Sequence, residues 1–167
     1  MIKLCFTGHR PSQLPWNYNE LRDNCERFKR DMEQLIRYEI INGVSYFITG
    51  MALGIDMICA EIIIKLKKEF PHIKLEAAIP CPTQTIKWNY ASKQRYAKIL
   101  EGCDFKTVIS NKYTEDCMLN RNKYMVDCSD KVLAVCSNIM SGTGNTIKYA
   151  QSKNKSVILV NPDDYKE

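Results

Sequence analysis

Short apolar runs alternate with amphipathic helical segments along the whole chain. The runs at 2–7, 45–49, 73–79, 106–109, 131–136 and 156–160 read as strands, and the segments at 19–41, 52–69, 85–100, 117–128 and 144–153 as helices. Leu21, Cys25, Phe28, Met32 and Leu35 give the first helix a 4-3-4-3 apolar seam. Gly43 and Gly102 stand where the first and third helices stop, and Pro71 ends the second. Runs such as Val132-Leu133-Ala134-Val135-Cys136 and Val157-Ile158-Leu159-Val160 are apolar without alternation, as strands covered on both faces must be. Strand and helix repeated five times, with a closing strand, predicts one doubly wound Rossmann-like α/β domain over 1–167. Its sheet is expected to be mostly parallel, with about six strands flanked by helices.

Composition narrows the class. A chain of 167 residues with 45% hydrophobic and 26% charged residues has an ordinary globular balance and is neither disordered nor fibrous. A net charge of +5 favours anionic ligands slightly without demanding nucleic acid. The most apolar stretch, 57–64, contains Glu61 and runs into lysines, far short of a membrane span. The chain opens directly on a strand, so neither a secretion signal nor a membrane partner is expected. The eight cysteines include no Cys-x-x-Cys pair, and only His9 and His72 accompany them, so no metal site is implied. They read as reduced, mostly packing thiols of a cytoplasmic protein, with a disulfide framework as the minor alternative.

In such a fold ligands bind outside the carboxyl ends of the strands. Five of the seven glycines, Gly8, Gly50, Gly54, Gly142 and Gly144, lie just after the first, second and fifth strands. Glycine there allows close backbone approach, and each loop is expected to lead to a helix N-terminus, where free N–H groups favour an anion. Tight turns need glycine anyway, but three such loops on one edge favour a phosphate-bearing ligand. In the first loop, Thr7 and Arg10 can hold a phosphate, and His9 can titrate near neutral pH or merely cap a turn. In the second, Met51 sits among the glycines, Gly54 is expected inside the helix start, and Asp56 either receives a ribose hydroxyl or favours the helix dipole. The third loop is stiffened by Pro80 and Pro82, and Trp88 beyond it can stack on a base or pack in the core. On the fourth helix Arg121 and Asn122 can reach the ligand or remain solvated. Ser141, Gly142, Thr143, Gly144 and Thr146 form a cradle in which hydroxyls and amides converge on one anion. No Gly-Lys-Ser/Thr or Gly-x-Gly-x-x-Gly pattern is present, so this is neither a P-loop nor a standard dinucleotide fingerprint.

The segments Phe6-Thr7-Gly8-His9-Arg10-Pro11, Thr49-Gly50-Met51-Ala52-Leu53-Gly54-Ile55-Asp56, Arg121-Asn122-Lys123-Tyr124-Met125-Val126-Asp127 and Ser141-Gly142-Thr143-Gly144-Asn145-Thr146, with Val160-Asn161-Pro162, resemble the YpsA-like branch of the SLOG superfamily over nearly the whole chain. That superfamily also includes DprA/Smf-type proteins and the LOG phosphoribohydrolases. The resemblance implies a Rossmann-like domain that binds a nucleotide or nucleotide-derived molecule at the strand ends. LOG enzymes carry Pro-Gly-Gly-x-Gly-Thr-x-x-Glu, whose glutamate serves glycosidic cleavage. Here Ser141 replaces the first glycine of the pair, and Thr146 is followed by Ile147, Lys148 and Tyr149, with no acid.

The expected function is therefore a binding or sensor module for a phosphate-bearing nucleotide derivative, with Mg²⁺ present only if a phosphate carries it. An enzyme acting on the N-glycosidic bond of a nucleoside monophosphate is the alternative, with Asp56 or Glu61 as its acid. DprA-like single-strand binding comes third, because no basic stripe with interleaved aromatics is present. A homo-oligomer is plausible through the seam of the first helix, although that seam can equally face the sheet.

Overall fold

In the computed structural model, which describes residues 1–167, the run at 132–136 is buried on both faces as expected, whereas the run at 157–160 lies at the edge of the sheet with Leu159 62% exposed. The strands are β1 (Ile2–Gly8), β2 (Val44–Thr49), β3 (Lys74–Ile79), β4 (Phe105–Val108), β5 (Lys131–Val135) and β6 (Ser156–Val160). Between them lie α1 (Asp23–Ile41), α2 (Ile55–Leu66), α3 (Tyr90–Gly102), α4 (Cys117–Asp127) and α5 (Gly142–Ser152). The six strands form one sheet in the order β4-β3-β2-β1-β5-β6, and every pair is parallel. The chain builds outward from β1 to β4, crosses back, and resumes at β5 on the other side of β1. The topological switch point therefore lies between β1 and β5.

Right-handed crossovers then put α1, α2 and α3 on one face and α4 and α5 on the other. Successive residues of one strand feed opposite cores. Leu4 and Phe6 join a cluster of 27 buried residues beneath α1–α3, whereas Cys5 joins a cluster of 11 beneath α4 and α5. Of the expected α1 seam, Cys25, Phe28 and Met32 are buried in the chain's own core together with Ile36 and Ile40, Leu35 is partly buried against it, and Leu21 precedes the helix and is 87% exposed.

One buried polar cluster ties the α4 face together. Glu76 on β3 is 4% exposed, and its carboxylate accepts hydrogen bonds from Tyr46 Oη (2.5 Å), Tyr124 Oη (2.6 Å) and Thr107 Oγ1 (3.1 Å). These donors come from β2, α4 and β4 in turn.

Several boundaries differ from those expected. α1 starts at Asp23 rather than residue 19, because residues 9–22 form an irregular segment with a 3-10 turn at Pro11–Gln13. That segment is part of the core, since Leu14 and Trp16 are 3% and 1% exposed. The loop after β1 thus leads to this turn and not to a helix N-terminus. Gly54 is not inside α2 but caps it, with φ at 94°. A Cβ there would also come within 2.6 Å of the His9 carbonyl oxygen, so both conformation and space require glycine. α3 starts at Tyr90, after Trp88, with Asn89 Oδ1 accepting from Ser92 N–H at 2.8 Å as its cap. α5 begins two residues earlier than expected, at Gly142, because Ser141 is its cap. All eight cysteines are free thiols, six of them buried, so the disulfide alternative is set aside. No helix is long and apolar enough to cross a membrane.

Candidate functional site

At the carboxyl ends of β1 and β5 lies a cleft of about 260 Å³. Three of its twelve lining residues are apolar. Thr7 and Gly8 reach it from the end of β1, and Arg10 and Gln13 from the turn that follows. Ala52 and Asp56 come from the β2–α2 junction, Arg121 and Asn122 from α4, and Gly142 and Thr143 from the first turn of α5.

Arg121 and Asp56 are the buried charges. Arg121 is 3% exposed; its Nη1 donates to the Gly50 carbonyl, and its Nε donates to Asn122 Oδ1 at 2.8 Å. Asp56 is 7% exposed and accepts from Ala52 N–H at 3.2 Å. Burial raises the Asp56 carboxyl above the usual carboxylate value, against the opposing pull of Arg121 and Arg10. The Arg121 guanidinium remains a cation at neutral pH. The two groups flank Gly50, where a Cβ would lie 2.7 Å from Arg121 Nη1 and 2.8 Å from Asp56 Oδ2, so a side chain there would have to displace one of them. Asp56 therefore occupies the α2 N-terminus, where the sequence suggested a free anion site.

The free helix end is that of α5. Ser141 Oγ accepts from Gly144 N–H at 3.1 Å and donates to the Asn138 carbonyl at 2.5 Å. Thr146 Oγ1 donates to the Gly142 carbonyl at 3.2 Å. Both hydroxyls are thus engaged within the fold, and Gly144 is packed against the Ile139 carbonyl. Of the expected cradle, Gly142 and Thr143 face the cleft. Their backbone N–H groups have no acceptor in the protein. Space around Gly142 is open, with nothing within 4 Å of where a Cβ would stand.

Eight of the expected residues, Thr7, Gly8, Arg10, Asp56, Arg121, Asn122, Gly142 and Thr143, meet in this one cleft. The others support it or lie elsewhere. His9 is 1% exposed and latches two loops, its Nε2 accepting from Ser137 N–H at 2.9 Å. That places its proton on Nδ1, which has no partner, and burial lowers its pKa. It stands as a buried spacer between the two loops, and burial disfavours its charged form. Met51 is fully buried at a φ of 60°, and the Pro80 carbonyl accepts from Ser110 N–H at 3.1 Å to join the ends of β3 and β4. Trp88 lines a neighbouring cavity. Glu61 lies outside the cleft, ion-paired with Arg95 at 2.5 Å on the surface between α2 and α3. It is not available as an acid there.

Two contributors escaped the sequence. Gln13 is folded into the cleft by the 3-10 turn, and the prolines around Arg10 are its only local signal. Gln84 is 9% exposed and donates from Nε2 to the Gly50 carbonyl at 3.0 Å, a contact across 34 residues with no local signature.

An all-parallel sheet with a polar cleft at its switch point defines a Rossmann-like α/β domain. The model of the YspA SLOG family matches residues 4–165, and the chain belongs to that family. It is 32% identical to UPF0398 protein BH1768 of Halalkalibacterium halodurans, over 98% of this chain and 90% of that one. It is 35% identical to the SPbeta prophage-derived protein YoqJ of Bacillus subtilis, over 63% of this chain and 68% of the other. Among solved structures, DNA processing protein A (DprA) of Streptococcus pneumoniae superposes with a TM-score of 0.66 at 16% identity. The Helicobacter pylori DprA, solved for its single-stranded DNA binding mode, gives 0.62 at 18%. The two matches cover 95% of this chain but only 50% and 64% of those chains, and they speak to the fold alone.

Proposed function

We propose that this protein binds a phosphate-bearing nucleotide or nucleotide-derived small molecule in the cleft between β1 and β5, acting as a sensor or regulatory module. The observation that carries the reading is convergence. Two arginines, Arg10 and Arg121, two threonines, Thr7 and Thr143, and the unpaired amides at the start of α5 border one small polar volume. Charge, hydroxyl donors and a positive helix end all favour an oxyanion. Asp56 lines the same cleft and can accept from a ribose hydroxyl, and Mg²⁺ enters only with a phosphate.

The test is a thermal-shift series with AMP, ADP, GDP, ADP-ribose and NAD, each product checked by mass spectrometry. A ligand at 100 times its Kd adds about 2.7 kcal/mol, which raises Tm by roughly 5–10 °C for a chain of this size. An intact ligand, together with loss of the shift in Arg10→Ala, supports the reading; no shift with any of them sinks it.

One feature favours a second reading. Burial favours the protonated form of the Asp56 carboxyl relative to an ordinary aspartate, so Asp56 can serve as the acid of an N-glycosidic cleavage. That reading requires base release from a nucleoside monophosphate, and its loss in Asp56→Asn. Single-stranded DNA, bound by the Helicobacter pylori DprA, is the third ligand to try; salt-dependent binding of an oligonucleotide tighter than that of any mononucleotide would favour it.

A further inference from the structure

Beside the polar cleft lies a second cavity of about 400 Å³ with the opposite character: five of its eight lining residues are apolar, against three of twelve in the cleft. It sits farther along the same edge of the sheet. Gln84, Lys87 and Trp88 follow β3, and Tyr113 and Met118 lie between β4 and the body of α4. The two spaces share a wall. The Gly50 carbonyl accepts from Arg121 on the cleft side and from Gln84 on the other, and Met118 Sδ is 3.9 Å from Arg121 Nη2. From β1 to β3 is two strand spacings, about 10 Å, a reach suited to a sugar joining a phosphate to a ring.

We infer that this second cavity is the ring subsite of the ligand proposed above: the phosphate lies against Arg10 and the start of α5, and a purine-sized heterocycle enters between Trp88 and Tyr113. The inference rests on that reading of the cleft and adds the direction in which the ligand runs. Trp88 is held from behind, meeting Tyr96 edge to face with ring centroids 5.6 Å apart. Tyr113 is 64% exposed, a large apolar surface left at the mouth of the cavity. Aromatic walls give stacking without sequence selection, and Lys87 supplies donors for a ring edge. A ligand apolar at one end and anionic at the other fits the pair, and either end alone leaves one space unused.

The experiment compares AMP and GMP with ribose 5-phosphate by titration calorimetry on the full chain. At least one nucleotide is expected to bind tenfold or more tightly than ribose 5-phosphate. Trp88→Ala weakens that nucleotide about tenfold and leaves ribose 5-phosphate unchanged, Trp88→Phe keeps most of the affinity, and Arg10→Ala weakens both classes. Equal affinity of nucleotides and ribose 5-phosphate, or an equal loss of both in Trp88→Ala, overturns the ring subsite while the anion cleft stands. Binding of none of the three removes the cleft reading and this one with it.

Discussion

Gly50 is where the site is most sensitive to a single atom. Its missing Cβ leaves room for Arg121 Nη1 and Asp56 Oδ2, so Gly50→Ala must displace one of them. We expect a loss of about 1–3 kcal/mol in stability, together with loss of anion binding. Gly142→Ala is the contrast. Open space around Gly142 predicts a stability change within about 0.5 kcal/mol, while sulfate affinity falls because the methyl group crowds the α5 amides. Chemical denaturation and sulfate titration of both variants check this; equal stability of the two would show that the contact over Gly50 is soft. Asp56 gives a pH dependence. Burial raises its carboxyl, so it takes up a proton at a higher pH than an ordinary aspartate does, which removes a negative charge beside Arg10 and Arg121. Sulfate keeps its charge as that proton is taken up, so its affinity should rise on the order of tenfold, and Asp56→Asn should flatten the profile. Burial lowers His9 from its ordinary value into the acidic range, so the Asp56→Asn comparison is what isolates the carboxyl. These roles were partly legible. The glycines and arginines stand out in the sequence, but the capping by Ser141 and the bond from Thr146 back to the Gly142 carbonyl do not. Serine and threonine bind local backbone as readily as they bind a ligand, and only the fold decides which.

At the scale of elements, the central strands were visible as apolar runs because burial on both faces leaves a continuous signal, whereas the edge strand β4, Phe105–Val108, is short and largely exposed and carries Lys106 and Thr107. Helix starts were less visible, and the reasons are physical. Residues 9–22 bury Leu14 and Trp16 without a period, since a 3-10 turn and not a helix carries them into the core. α3 begins late because Asn89 caps it, an assignment that competes with several polar residues nearby. The cross-strand cluster at Glu76 could not be read at all, as its donors are up to 48 residues away. That cluster makes a prediction of its own. A buried carboxylate that loses a charge-assisted donor is costly, so Tyr46→Phe should lower stability by about 1.5–3 kcal/mol at neutral pH. Burial and then hydrogen bonding to Glu76 push Tyr46 upward and Tyr124 up to about 12. A raised phenol contributes stability that is complete below its unfolded value near 10 and is lost as pH rises through the folded one. Alkaline melting curves should therefore fall steeply above pH 10 or so in the native chain and less steeply in the Tyr46→Phe, Tyr124→Phe double variant. Parallel slopes would mean that the cluster does not govern alkaline stability.

The whole molecule is unevenly built, and the cleft straddles the division. The core beneath α1, α2 and α3 holds 27 buried residues, and that beneath α4 and α5 holds 11. Less buried apolar surface means a smaller free energy for local opening, so the α4–α5 layer should open before the sheet does. Arg121, Asn122, Gly142 and Thr143 belong to that weaker layer, whereas Thr7, Gly8 and Arg10 belong to the central strand and its turn. An anion in the cleft must therefore bridge the two. Binding stabilises only the states that retain both halves of the site, and opening of α4 or α5 releases one half. Amide hydrogen exchange should show α4 and α5 exchanging faster than α1 and α2 in the free protein. Saturating sulfate should slow α4 and α5 most, with little change in α1. The free thiols offer an independent readout, since Cys117 and Cys136 lie in or beside the weaker layer and Cys25 and Cys59 in the stronger one. Under native conditions Cys117 and Cys136 should label sooner, and sulfate should close the gap. Uniform exchange across both layers, or equal protection of α1 and α5 by sulfate, would mean that the sheet and its two faces open as one unit. A ligand would then stabilise the whole fold and not gate one side of it.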